Sequence, residues 1–430
     1  MFEQRRKKFI EQMNGGVAIF RSSTEVIRNN DAHFKFRPDS DFYYLTGFSE
    51  PNSVIVFAPE HPEHKFIMFV RPRDPERETW DGKRAGIEGA VSTYGADIAY
   101  SIDELEAKLP EYVKNVDTLY YTIGTYPDFD QKIIHLLSDL RKKVRSGDYA
   151  PTTIIETGKI LHEMRLLKSD EEMEIMRKAN KIAQQAHIEA MKASRPGIYE
   201  YEIEALLENE FKKQGANGVA YNSIVGTGVN ATILHYVENN QQLKDGDLLL
   251  IDAGDEYGFY ASDITRTFPV NGKFTKPQRE IYEIVLEAQL EAIKMVKPGT
   301  KFVDVHNRAV EVLTEGMVKV GLLNGNVDDL IKDESYKKFY MHRTGHWLGM
   351  DVHDVGKYHI NKESRVLEPG MVLTVEPGLY IQENVEGAPK EYIGIGIRIE
   401  DDVLVTKDGN EVLSQRIPKT IDEIEKVMQR

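Results

Sequence analysis

Residues 248–270, LLLIDAGDEYGFYASDITRTFPV, hold two apolar runs on either side of a short glycine-containing turn. Such a pattern folds as an antiparallel hairpin with a buried face. It places Asp252 and Asp263 inside the pair rather than at its ends. With the turn centred on Tyr257 and Gly258, Asp252 falls opposite Asp263, which brings their Cβ atoms to roughly 4.5–5.5 Å. Like charges so close repel, and buried carboxylates are costly unless a cation stands between them. Two readings follow: both aspartates share a cation, or both cap turns and pair with Arg266.

The second half of the chain tips the balance toward a cation. VLTVEPGLYI sets Glu376 late in an apolar strand, and GIGIRIEDDVLVT alternates Ile395, Ile397 and Ile399 with Gly396, Arg398 and Glu400. Between them lies MHRTGHWLGMDVHD, with His342, His346 and His353. Gly345 and Gly349 oppose a regular helix there, so a metalloprotease helix of the His-Glu-x-x-His type is excluded. Four carboxylates and an imidazole would neutralise two divalent cations. The donor set suits manganese, and cobalt, iron or zinc when imidazole takes part. Such ions lower the pKa of bound water from 15.7 to about 7, which makes the chemistry hydrolytic.

The rest of the sequence bounds the setting. Its 430 residues suffice for about two or three domains. A net charge of −15 argues against partners that need basic patches, nucleic acid and anionic membranes among them. There is no cysteine, hence no disulfide and no thiolate ligand. The opening MFEQRRKKFIEQMNGG has no apolar stretch after its basic residues, so it reads as a solvated helix face rather than a signal peptide. No window is long and apolar enough for a membrane span, and the expected compartment is the cytoplasm.

The first ~150 residues alternate strand-like runs (GGVAIF, SVIVFAP, KFIMFV, TLYYTI) with helix-like ones, the pattern of an α/β domain. RSGDYAPTT, residues 145–153, weakens the pattern and reads as a boundary. A long helix then begins at the Ser169–Glu172 capping box and stops at Pro196-Gly197. Residues 191–215 are echoed by 293–317: a helix end, a basic-Pro-Gly stop and a second amphipathic helix. Each is followed by strand-rich sequence with two acidic positions, Asp252 and Asp263, then Glu376 and Glu400. Two such halves would place these residues at a shared interface.

HRTGHWLGMDVHD (342–354), DAG (252–254), DITRTFP (263–269), TVEPGLY (374–380) and GIRIED (396–401) resemble the pita-bread metallopeptidases, and among them the Xaa-Pro aminopeptidases, or aminopeptidases P. FRPDSDFYYLTGFSEPNSVIVF (36–57) is similar to the amino-terminal domain of those enzymes. The resemblance implies a smaller α/β amino-terminal domain, 1–168, which restricts substrate entry and supports a homo-oligomer, a dimer or tetramer. It implies a catalytic domain, 169–430, built as a pseudo-twofold curved antiparallel sheet with helices. It implies that Asp252, Asp263, His346, Glu376 and Glu400 hold two divalent ions, with Asp263 and Glu400 bridging them. Glu376 is then also the general base and proton carrier. His235, in TILHYVEN, and His353 contact the substrate, His342 lies nearby, and Arg398 sits behind the ligands or meets the substrate backbone. Trp80, in ETWDGKRAG, is either part of a subunit contact or an ordinary tryptophan. The implied substrates are peptides with proline in second position. A prolidase, which cleaves Xaa-Pro dipeptides with the same ligands, is the nearest alternative. Methionine aminopeptidases lack such an amino-terminal domain, and creatinase-like and partner-binding members lack the ligand set, which is complete here.

Overall fold

The computed structural model describes residues 1–429. Contacts divide the chain into two compact units, Met1–Met164 and Arg165–Arg430. Among the described residues no helix is long and apolar enough to cross a membrane.

In the first unit the apolar runs become strands of a six-stranded mixed sheet. The spatial order is Ile98–Ser101, Phe66–Val70, Val54–Phe57, Val17–Arg21, Thr118–Tyr120, Thr153–Ile155. Val54–Phe57 and Phe66–Val70 are buried at every position, as expected where helices cover both faces and alternation is lost. One face packs Ile19, Val56 and Ile67 against Leu109 and Val113 of the helix Leu105–Val113 and Ile133 and Leu137 of the helix Pro127–Lys142. On the other, Phe9 of the helix Phe2–Gln12 meets the rings of Phe20 and Phe57 at 5.3 and 5.9 Å. Residues 145–153 are not a boundary: the strand that begins at Thr153 pairs in parallel with Thr118–Tyr120.

The amino-terminal helix also departs from expectation. Arg5 and Arg6 are buried rather than solvated. The Arg5 guanidinium lies 3.8 Å from the Tyr44 ring centroid and donates to the Tyr44 carbonyl, and Arg6 does the same with the Phe66 ring and the Leu45 carbonyl. A planar guanidinium stacks on aromatic faces while its edge donates, so arginine can be buried where lysine would not be.

In the second unit the weak repeat is a repeat of structure. The helices Asp170–Ala193 and Glu200–Lys213 precede an antiparallel sheet of Ile224–Thr227, Leu248–Asp252 and Thr265–Pro269. The helices Lys276–Met295 and Phe302–Lys319 precede another, of Val372–Val375, Asp401–Val405 and Asn410–Val412. The predicted capping box forms: Ser169 Oγ accepts from the Glu172 amide and the Glu172 carboxylate from the Ser169 amide. The two halves are stitched where their strands meet. Glu400 N–H donates to the Thr265 carbonyl at 3.1 Å, and the Thr267 hydroxyl donates to the Arg398 carbonyl at 3.0 Å.

The hairpin register differs from the expected one. Asp252 pairs with Thr265, Glu256 with Ala261 and Tyr257 with Tyr260, so the turn is Gly258-Phe259. Both residues have positive φ, 58° and 65°, as a type I′ turn requires. A phenylalanine there carries no turn signal, which is why the sequence pointed one residue early. The correction moves Asp263 from directly opposite Asp252 to a diagonal position on the same face, a separation of roughly 7–8 Å between backbones. Pairing with Arg266 does not occur either. That residue is fully buried, with Asp401 at 2.7 Å and the Glu400 carbonyl at 2.6 Å.

Asp255, in the same hairpin, is fully buried, with Ser262 Oγ at 2.9 Å from Oδ1 and no partner for Oδ2 among the described residues. Burial pushes its carboxyl up to about 8. An unfolded aspartate loses its proton near pH 4. Between about pH 4 and 8 the folded state therefore keeps a proton the unfolded state has lost, and stability falls as pH rises through that window. Asp255→Asn is expected to remove this loss, so that its Tm gains on the parent's from pH 5 to pH 8 by calorimetry. A Tm difference independent of pH would show that Asp255 is already ionised in the folded protein.

Candidate metal centre

Local chemistry explains how each ligand-type side chain comes to its place. No helix forms between Met341 and Tyr358. Instead the loop runs beside the strand Val372–Val375, with Thr374 N–H donating to the His346 carbonyl at 3.0 Å and Glu376 N–H to the Thr344 carbonyl at 2.8 Å. Gly345 permits this approach, since a Cβ there would lie 2.0 Å from the Thr374 carbonyl oxygen. The far end of the loop is tied down by Asp354, which takes Lys168 Nζ at 3.0 Å and Arg165 Nη2 at 2.5 Å, all three buried. His235 rides on a second loop, anchored by the buried Glu200. That carboxylate accepts from the amides of Thr227 and Gln241 and from the Tyr236 hydroxyl at 2.7–2.8 Å.

Asp263, His346 and Glu400 converge: one ligand atom from each lies within 4.8 Å of the others. His346 Nε2 is 3.3 Å from Asp263 Oδ2 and 3.7 Å from Glu376 Oε1. Its Nδ1 lies 3.0 Å from the Trp347 carbonyl and donates to it, which turns Nε2 to the carboxylates. Asp252 joins through Tyr221, whose hydroxyl is 2.6 Å from Asp252 Oδ1 and 2.5 Å from Asp263 Oδ1. Glu400 Oε2 accepts from the Thr265 hydroxyl at 2.6 Å.

Arg398 and His342 turn inward. Arg398 donates to Asp252 at 2.5 Å, to the Tyr380 hydroxyl at 3.0 Å and to Thr265 at 3.1 Å. The Tyr380 hydroxyl in turn meets His342 Nε2 at 2.8 Å. Nδ1 of His342 is 2.8 Å from the Arg343 carbonyl and 3.7 Å from Glu376 Oε2. Burial, with Arg398 nearby, lowers His342 to about 4 and keeps it neutral. His235 and His353 stand at the rim, exposed, both lining the cavity above the cluster. The His353 ring packs edge-on to that of His346, with centroids 4.4 Å apart.

The electrostatics are those of a site short of positive charge. Burial raises Glu400 well above the carboxylate range, with Asp263, Glu376 and Asp252 adding to it. Burial lifts Glu376 to about 7. Burial works against charge on His346 as well, yet Asp263 and Glu376 carry that imidazole up to about 9. Oxygen-rich carboxylates around one imidazole, aimed at common points, fit divalent ions of the manganese-to-zinc series. Cations there would offset the repulsion that raises the carboxylates.

The model of metallopeptidase family M24 matches residues 174–407, and that of the aminopeptidase P N-terminal domain matches residues 2–120. The chain belongs to metallopeptidase family M24. It is 46% identical to a Xaa-Pro aminopeptidase of Escherichia coli over 99% of this chain and 97% of that one. It is 37% identical to the human Xaa-Pro aminopeptidase 3, over 96% of this chain and 80% of that one. Among solved structures, the aminopeptidase PepP of Pseudomonas aeruginosa superposes with a TM-score of 0.98 at 50% identity, covering 99% of this chain and 97% of that one. A zinc-substituted E. coli aminopeptidase P in complex with product superposes at 0.96 and 45%, with the same coverage. Of the residues that shape this centre, Tyr221 escapes sequence reasoning altogether, as an ordinary loop residue with no spacing that marks it. Thr265, Thr374 and Tyr380 fall within the quoted motifs, but nothing in the sequence singles them out.

Proposed function

We infer that this chain is a metal-dependent Xaa-Pro aminopeptidase, which removes the first residue from peptides whose second residue is proline. The observation that carries the reading is the convergence of Asp263, His346 and Glu400, flanked by Asp252 and Glu376, in a chain similar to Xaa-Pro aminopeptidases from end to end. Those five side chains would hold two divalent ions, manganese first, with cobalt, iron or zinc fitting the same donors. When bound, such ions supply Lewis acidity toward the scissile carbonyl and acidify water.

The chain's own residues do the rest. Glu376, with Oε1 3.4 Å from Thr374 Oγ1, takes the proton of the attacking water and delivers it to the departing prolyl nitrogen. His353 and His235, at the rim, hydrogen-bond the substrate and the oxygen that gains charge in the tetrahedral stage. Arg398, held between Asp252, Tyr380 and Thr265, keeps the aspartate aimed. The acidic cluster receives the free α-amino group, which limits cleavage to the first bond. The peptide nitrogen of proline carries no hydrogen, so a site that uses only the carbonyl and the amine suits this bond.

Residues 1–168 support a homo-oligomer, a dimer or tetramer. The exposed Trp80 indole, 86% accessible on the helix Pro75–Asp81, offers an apolar contact for it. The absence of cysteine favours the cytoplasm.

The test is kcat/KM for four substrates at saturating manganese. Xaa-Pro-Yaa is expected to be cut after Xaa and Xaa-Pro more slowly. The N-acetylated tripeptide should be left intact, and Xaa-Ala-Yaa should be cut far more slowly. Rapid dipeptide cleavage with none of tripeptides makes the chain a prolidase; no cleavage at all makes it a binding protein.

A further inference from the structure

The cavity over the cluster has a volume of about 860 Å³, within the ~300–1,000 Å³ of small-ligand sites. That is room for a few residues of peptide rather than a folded partner. Imidazoles aside, its basic lining consists of two guanidiniums, Arg398 and Arg343. Arg398 is engaged with Asp252 and Tyr380, as described. Arg343 is different. It is exposed, and no carboxylate among the described residues pairs with it. Its backbone is fixed through the hydrogen bond of its carbonyl to His342 Nδ1. Arg343 lines the same cavity as Phe302, Val303 and His306, and after burial its charge is the next cause holding His306 at about 4.

A peptide zwitterion brings one positive and one negative end. The positive end belongs at the acidic cluster, and the negative end needs a cation not already engaged. We propose that Arg343 is a subsite for the C-terminal α-carboxylate of short peptides, which makes free-acid tripeptides the preferred substrate class of this site. The proposal rests on the aminopeptidase reading and deepens it. Guanidinium and carboxylate meet through paired, charge-assisted hydrogen bonds, and the partial enclosure of the cavity strengthens them. An amidated or longer peptide presents no carboxylate at that place.

The test compares Xaa-Pro-Yaa with its C-terminal amide, as the ratio of their kcat/KM values. The parent is expected to favour the free acid by about tenfold, the worth of one good hydrogen bond to a charged group. Arg343→Gln should bring the ratio close to one, chiefly through KM, and Arg343→Lys should keep part of the preference. Because the ratio is read, any general loss of activity in a variant cancels. A parent ratio near one, or an unchanged ratio in Arg343→Gln, overturns the proposal. So does an equal loss on both substrates, which assigns Arg343 to loop shape instead. Cleavage of the amide by the parent tests the aminopeptidase reading separately.

Discussion

Glu376→Gln is expected to lower kcat by about 10²–10⁴-fold, the range for loss of a general acid–base group. The substitution keeps the shape: Thr374 Oγ1, His346 Nε2 and His342 Nδ1 stand 3.4, 3.7 and 3.7 Å from the Glu376 oxygens, and an amide fills the same volume. What is lost is the negative charge and the ability to accept and return a proton. Because Glu376 is also one of the five ligand-type residues, kcat is to be measured beside metal content by elemental analysis. A fall in kcat with metal retained identifies the proton carrier. A fall that follows the metal content places Glu376 among the holders of the ions alone, and a kcat near the parent's removes it from both roles.

Dialysis against a chelator is expected to abolish hydrolysis, and manganese to restore it better than magnesium. Magnesium demands near-ideal octahedral oxygen coordination and retains its waters, whereas His346 turns a nitrogen into this site. The same treatment has a thermodynamic readout. An ion that binds only the folded state at about 1,000 times its Kd adds about 4.1 kcal/mol of stability. Tm should therefore climb when manganese is returned. Full activity in stripped protein, with Tm indifferent to manganese, would contradict the metal reading.

Periodicity and capping carry the fold as far as local chemistry reaches. Val54–Phe57 and Phe66–Val70 read as buried strands because nothing polar interrupts them, and Ser169 and Glu172 announce their helix by a reciprocal bond formed within one turn. The failures lie where tertiary contacts override local cues. Phe259 adopts positive φ with no residue-type signal, and Arg5 and Arg6 are buried because Tyr44 and Phe66, far along the chain, supply faces for them. In the site, carboxylates stand out because charge inside an apolar strand is anomalous. Tyr221 does not, since a tyrosine in a loop is ordinary until two aspartates are found at its hydroxyl.

The stitching of the two halves has a consequence for biosynthesis. Thr265 and Glu400, joined side chain to side chain, are 135 residues apart in the chain. At roughly 5–20 residues per second, a ribosome that has made the first hairpin needs on the order of ten seconds to reach Glu400. During that interval Asp252 and Asp263 exist without His346, Glu376 and Glu400, so with the ligand set proposed above the nascent chain would offer an ion only a fraction of its donors. Metal capture would then wait for the strands around Glu400, and an incomplete polypeptide would carry no working hydrolase.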